Sequence, residues 1–163
     1  MDKITASYFK IEEKLNDASN FVAWRTRLDL TLEENDVMEH VEGKLVEPPQ
    51  NANANVKSKY KKGDIKAKNI IIDSLRDHLI TYVSKLKKSK EMYDKLIGTY
   101  EVNNCNHIIS LKSQVCDIKM SKTKSITSYF MRISQIRDHL LSIGEVIHDK
   151  ELVHMTLGGL RMS

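Results

Sequence analysis

The stretch NFVAWRTRLDLTLEEN, residues 20–35, contains the single tryptophan of the chain and decides how the rest is read. Phe21, Trp24, Leu28 and Leu32 recur at three- and four-residue intervals, while Arg25, Arg27, Asp29 and Glu33 fall on other faces. That spacing is an amphipathic helix, with Asn20 or Ser19 placed to cap its first turn. No neighbour of Trp24 is suited to covalent or acid–base chemistry. The ring therefore has two structural uses: it packs with Phe21 and Leu28 inside a core, or it forms part of an assembly contact. Full enclosure would also require an acceptor for the indole N–H.

Outward from this helix the chain reads as helical throughout. Residues 1–18 carry Phe9, Ile11 and Leu15 without a clear period, so they read as an extended or irregular arm. Asp36 followed by Glu39 has capping-box spacing and predicts a short helix that stops before Gly43. GKLVEPPQNANANVK holds both prolines and reads as a surface loop. One stripe then runs through Tyr60, Ala67, Ile71, Leu75 and Leu79, with Gly63 weakening its start. Ser89 is placed to cap the next helix, which carries Met92, Tyr93, Leu96, Ile97 and Tyr100. VNNCN, residues 102–106, is the expected break between an amino-terminal lobe over 19–101 and a carboxy-terminal lobe over 107–163. In the second lobe Ile108, Leu111, Val115 and Ile118 form one stripe. Ile126, Phe130, Ile133, Ile136 and Leu140 form another after a turn over SKTKS, and a last helix starts near Asp149. The end at GGLRMS so close to a periodic segment suggests that the second lobe is incomplete. No β-type alternation or internal repeat competes, so the expected fold class is all-α.

A chain of 163 residues with 26 basic and 22 acidic side chains has a formal charge of +4, too modest for strong overall attraction to polyanions. It contains no uninterrupted apolar span of about 18 residues and no signal-peptide pattern, which predicts an intracellular protein with no membrane partner. Cys105 and Cys116 are too few for a disulfide framework and read as free thiols. With His107 they lack the short paired spacing of a zinc knuckle, and His148 and His154 would have to join them by coincidence of fold. Sequence spacing offers few convergent acid–base groups: Asp73, Asp77 and His78 lie near one another and Asp138 is next to His139, but adjacent helical positions point apart. No nucleophile elbow, P-loop or zinc-hydrolase motif occurs. The expectation is a protein without catalysis, cofactor, metal or small-molecule substrate.

Two lysine concentrations stand out. Lys57, Lys59, Lys61, Lys62, Lys66 and Lys68 are interrupted only by the acid Asp64, and Lys85, Lys87, Lys88 and Lys90 form the second. They are candidates for weak, non-specific contact with RNA phosphates. Solvation of a helix face explains them equally well, and the near absence of arginine argues against bidentate, sequence-specific recognition.

The succession of NFVAWRTRLDLTL, DVMEHVEGKLVEPP, KAKNIIIDSLRDHLITYV, SKEMYDKLIGTYE, SLKSQVCDIKMSKTKSITSYFMRI and LLSIGEVIHDKELVHMTLGGL resembles the Gag polypeptide of copia-type LTR retrotransposons, over nearly the whole chain. Phe21 and Trp24 match that family's NFxxW signature, and Gly43 and Pro48 fall in its post-helix loop. Ser89, Glu91, Leu96 and Tyr100 resemble its TAKEAWDxLxxxY helix, with Tyr93 in place of the commoner tryptophan. Tyr60 lies where an aromatic is familiar. Leu111, Met120, Ser125, Ile126, Tyr129, Phe130 and Ile133, then Gly144, Ile147, Asp149 and Leu157, carry the match in the second half. GGLRMS departs from the family's LP-containing ending, and its zinc knuckle, common farther along such chains, is absent from this sequence.

The resemblance implies two retroviral-capsid-like lobes with structural signature positions Phe21, Trp24, Leu28, Tyr93, Leu96, Tyr100, Leu111, Tyr129 and Phe130. It further implies a cytoplasmic homo-oligomer that builds virus-like particles around element RNA. The competing reading is a domesticated Gag-derived module that binds RNA or protein without forming particles.

Overall fold

The computed structural model describes residues 7–121 and 125–160. Among them the fold is all-α, with seven α-helices, three short 3-10 turns and no strand. The described residues form two compact units that divide between Glu101 and Val102.

The first unit is built on α1 (Phe21–Glu34), α2 (Met38–Glu42), α3 (Ala54–Asp73), α4 (Asp77–Val83) and the start of α5 (Ser89–Asp117). Phe21, Trp24, Leu28 and Leu32, the stripe read from the opening stretch, are the buried residues of α1. They join Val41, Ala67, Ile70, Ile71, Leu75, Val83, Met92 and Leu96 in one continuous core. Trp24 is fully enclosed, and its indole Nε1 donates to the Ser74 carbonyl at 3.0 Å. That acceptor exists because the Tyr60-to-Leu79 stripe is two helices. The chain leaves helical geometry at Ser74–Arg76, although no proline or glycine marks the place.

The same break organises the amino-terminal segment. The Leu15 N–H donates to the Ser74 carbonyl at 2.8 Å, and the Arg76 N–H donates back to the Leu15 carbonyl at 3.1 Å, making an isolated parallel bridge between Leu15 and Leu75. Phe9 and Leu15 are buried in the core, and residues 11–13 and 18–20 are 3-10 turns. The described part of the arm is therefore irregular and yet part of the core. Residues 1–6 of the expected arm lie outside the described residues. The Asn20 side chain does not cap α1; its Oδ1 accepts from the Asn16 N–H and its Nδ2 donates to the Lys14 carbonyl.

Two further caps differ from the sequence reading. Asp36 adopts a left-handed conformation, φ 57°, between α1 and α2, and Val37 stands at the α2 N-cap without a side-chain cap. Gly43, at φ 74°, ends α2 where only glycine is unstrained. Ser89 is buried and accepts nothing as a cap. Asp64 on α3 instead receives both the Ser89 N–H, at 2.9 Å, and the Ser89 hydroxyl, at 2.6 Å, so the start of α5 is capped across the unit. Glu91 accepts from the N–H groups of Lys87 and Lys88.

The break expected over 102–106 is helical. These residues lie within α5, which runs without interruption from Ser89 to Asp117 and supplies both units. Asparagines lower intrinsic helicity by tenths of a kcal/mol per residue, about the cost of one propagation step, whereas nucleation is already met where the helix packs at either end. A polar run without proline is therefore carried along.

The second unit comprises the end of α5, α6 (Ile126–Ser142) and α7 (Asp149–Leu157). Ser125 caps α6, its Oγ accepting from the Ser128 N–H at 3.2 Å. Two small clusters hold the unit: Leu111, Leu140, Ile143 and Ile147, and then Ile118, Tyr129 and Ile133, both touching Ile136 and Leu152. The 3-10 turn Gly158–Leu160 closes the second cluster. Gly159 donates no bulk there: a Cβ would sit 2.1 Å from the Ile118 carbonyl oxygen and 2.6 Å from the Tyr129 hydroxyl. The Met120 N–H donates to the Gly159 carbonyl at 2.9 Å, and the Tyr129 hydroxyl donates to the Thr156 carbonyl at 2.8 Å. Residues 122–124 of the SKTKS turn, and 161–163 after GGL, lie outside the described residues.

Candidate nucleic-acid and assembly surfaces

The α3 lysines divide between two sides of that helix. Lys57, Lys61 and Lys68 follow a helical stripe with Tyr60, Asp64 and Ile65, and Lys87 and Lys88 from the α4–α5 turn join them around an open groove of about 610 Å³. Glu47 and Pro48 from the proline loop complete its wall. Lys59, Lys62 and Lys66 line a second groove of about 640 Å³, with His40, Leu45, Val46 and Val56. Tyr60 and Pro48 border both grooves. Lys85 and Lys90 line neither. Two concentrations separated in sequence thus meet in the first groove.

Several of these cations are engaged within the protein. Lys57 donates to the Gln50 carbonyl, and Lys66 donates to the Asn35 carbonyl at 3.0 Å. Lys68 pairs with Asp64 at 3.2 Å and donates to the Lys87 carbonyl at 2.8 Å. Lys88 pairs with Glu47 at 2.7 Å, and Lys90 with Asp94 at 2.8 Å. The ammonium groups of Lys59, Lys61, Lys62, Lys85 and Lys87 have no partner among the described residues. Burial pushes the Asp64 carboxyl up, but the two Ser89 hydrogen bonds and Lys68 outweigh it and hold the group below the usual carboxylate range.

Gly63, read from sequence as a weak point of α3, has a packing reason. A Cβ there would lie 2.1 Å from His40 Nε2. The His40 ring sits 5.1 Å from that of Tyr60, is only 9% exposed, and leaves its Nδ1 without a hydrogen-bond partner. Glycine lets α2 approach α3 closely enough to set the Tyr60 ring between the two grooves.

Three of the acid–base candidates, Asp73, His78 and His139, have structural partners, and neither the Asp77 nor the Asp138 carboxylate has a hydrogen-bond or ion-pair partner among the described residues. Asp73 accepts from the Ser7 hydroxyl, the Tyr8 N–H and Lys14, so that burial, which raises its pKa, is outweighed and the carboxyl is held low. His78 Nε2 lies 3.1 Å from the Asn16 carbonyl oxygen, and His139 packs edge-on against His107 at 5.1 Å. Cys105 and Cys116 are exposed free thiols. Among the described residues no group of three or more His, Cys, Asp or Glu side chains is placed to hold a metal ion.

The signature positions divide by burial. Phe21, Trp24, Leu28, Leu96, Leu111 and Tyr129 are buried, while Tyr93 and Tyr100 are half-buried. The Tyr93 hydroxyl donates to Asp29 at 2.7 Å, and burial together with that carboxylate pushes its pKa up to about 12. Phe130 behaves differently. The inward stripe of α6 is Tyr129, Ile133, Ile136, Leu140, so the expected stripe through Ile126 and Phe130 is offset from the core. Ile126, Phe130 and Met131 are 54%, 49% and 59% exposed around an open groove of about 510 Å³, and Leu141, nearer the end of α6 and outside that groove, is 59% exposed. Met131 was absent from the sequence reading. Its signal was the excess of apolar residues over what one helical stripe can bury.

Helices packed through apolar stripes, with caps exchanged between elements, define an all-α protein with open basic and apolar surfaces. Residues 28–163 match the gag-polypeptide of LTR copia-type, and the chain belongs to that retrotransposon Gag family, which is structural. Leu28 through Phe130 of the signature lie inside the match, whereas Phe21 and Trp24 precede it. No solved structure matches the chain. No helix among the described residues is long and apolar enough to cross a membrane.

Proposed function

We propose that the chain is a noncatalytic capsid segment of Gag that self-associates in the cytoplasm and builds virus-like particles enclosing element RNA. Membership of the copia-type Gag family supports this reading, and the apolar face of α6 is the observation that carries it. Ile126, Phe130 and Met131 cluster in solvent around one groove on α6, an exposed apolar surface of the kind that contact sites use. A second copy supplies matching apolar surface, and repetition of a small set of such contacts closes a shell. The two compact units correspond in this reading to the amino- and carboxy-terminal capsid lobes.

Particle formation is tested by mixing the protein with long RNA, digesting with nuclease and viewing the product by electron microscopy. Closed particles with protected RNA are the expected result. Complete digestion with no particles, at any protein concentration, would reject RNA enclosure by this chain.

A further inference from the structure

We propose that the groove between α3 and the α4–α5 turn is a track for an unpaired RNA strand, so that this unit holds RNA through its own surface; the identity of the polymer rests on the Gag reading above. Three observations carry the site. First, Lys57, Lys61 and Lys68 lie along one stripe of α3, and eleven residues of helix span about 16 Å. That is longer than a single small anion and suits a polymer of charges. Second, Lys87 and Lys88 face the same groove from the other side, so five lysines meet two carboxylates, Glu47 and Asp64, of which Asp64 is already occupied by Ser89 and Lys68. The ammonium groups of Lys61 and Lys87 remain unpaired. Third, the groove is not purely ionic. Tyr60, held against His40 by the approach that Gly63 permits, borders it with Ile65 and Pro48. An aromatic face beside a row of cations is the arrangement that binds single strands, in which backbone phosphates meet the lysines and a base stacks on the ring. A duplex hides its base faces and could use only the cations. An acidic peptide would likewise leave Tyr60 without a role.

The test is fluorescence anisotropy of a labelled 20-nucleotide oligouridylate across a salt series, with a 20-base-pair RNA duplex and polyglutamate as comparison ligands. Single-stranded RNA is expected to bind more tightly than either. Lys61→Glu combined with Lys87→Glu should weaken it by more than about tenfold near 0.1 M salt, and each neutralised phosphate contact should flatten the log–log salt slope by about 0.7. Tyr60→Leu should weaken binding by about tenfold and Tyr60→Phe should restore it, because stacking needs the ring and not the hydroxyl. Lys119→Glu with Lys150→Glu, exposed positions in the other unit, should change little. Equal binding of duplex and single strand, stronger binding of polyglutamate, or equal loss from both pairs of charge reversals would overturn the proposal. Sedimentation of the same variants without RNA separates the two ideas: self-association that persists while the groove variants bind oligouridylate normally rejects the groove and leaves the capsid reading intact.

Discussion

The two units of one chain solve the burial problem differently. In the first, sixteen buried hydrophobic residues, from every α-helix of the unit and from Phe9 and Leu15 of the irregular amino-terminal segment, form a single cluster. In the second, eight hydrophobics are buried among the described residues, and seven of them fall into separate clusters of four and three, with Val115 outside both, while Ile126, Phe130, Met131 and Leu141 stand in solvent. Each unit also fastens its core with buried polar bonds, the Ser74 carbonyl receiving both Trp24 and Leu15 in the first and the Thr156 carbonyl receiving the Tyr129 hydroxyl in the second. The contrast teaches that apolar content alone does not measure a core. Both units expose large apolar side chains, so what separates them is the cohesion of what they bury: one continuous cluster in the first, two small ones in the second.

The strongest way to break this contrast is at Trp24. Trp24→Ala should remove about 3–5 kcal/mol from the first unit, through lost burial and a cavity that neighbouring helices cannot refill. Urea unfolding followed by circular dichroism would show the loss. Trp24→Phe keeps much of the ring and forfeits the bond to Ser74, so it should cost less. A Trp24→Ala variant as stable as the parent would remove the tryptophan from its central place in the core.

A smaller effect is expected in the second unit at Gly159. Gly159→Ala forces a methyl group against the Ile118 carbonyl, and an overpacked site of this kind costs about 1–3 kcal/mol. Hydrogen exchange should quicken across α6 and α7 and stay unchanged in α1 and α3. Uniform quickening of both units would mean that they do not unfold separately.

The smallest effect is a pH dependence confined to the first unit. Asp64 and Asp73 both have folded pKa values below the ordinary 3.8, burial being outweighed by their hydrogen bonds and lysine partners. A depressed carboxyl contributes stability that is fully present above the unfolded pKa and disappears as pH falls through the lower folded value. Stability of the first unit should therefore be flat above about pH 5 and decline below about pH 4. Asp64→Asn and Asp73→Asn should each make that decline shallower, while the second unit titrates as before. An unchanged acid limb in both variants would show that these carboxylates are not the groups being titrated.

Most of the helical architecture was legible because it rests on spacing. The Phe21–Trp24–Leu28–Leu32 stripe and the stop at Gly43 are local signals, and each is present in the structure. What escaped depends on contacts distant in sequence. Phe9 and Leu15 have no period because backbone bonds to Ser74 and Arg76, not helical geometry, carry them into the core. Ser89 looked like a cap, but Asp64 of another helix performs that task. VNNCN looked like a break between lobes; the two compact units do divide at its first residue, but cooperativity from both ends keeps the segment itself helical. The ten candidate lysines were identifiable in sequence, but which of them share a groove was not. Lys57, Lys61, Lys68, Lys87 and Lys88 converge only when α3 and the α4–α5 turn pack together. The exposed α6 face was hidden by an offset of one position: Tyr129 points inward and Phe130 outward.

The decisive measurement is molar mass by size-exclusion chromatography with multi-angle scattering, over a range of protein concentrations, with and without long RNA, for the parent and for a Phe130→Glu, Met131→Glu variant. The parent should form reversible oligomers whose mass rises with concentration and with RNA, and the variant should remain a folded monomer with an unchanged circular dichroism spectrum. A parent that stays strictly monomeric under every condition would contradict the capsid account; oligomers that persist in the variant would place self-association on a surface other than α6.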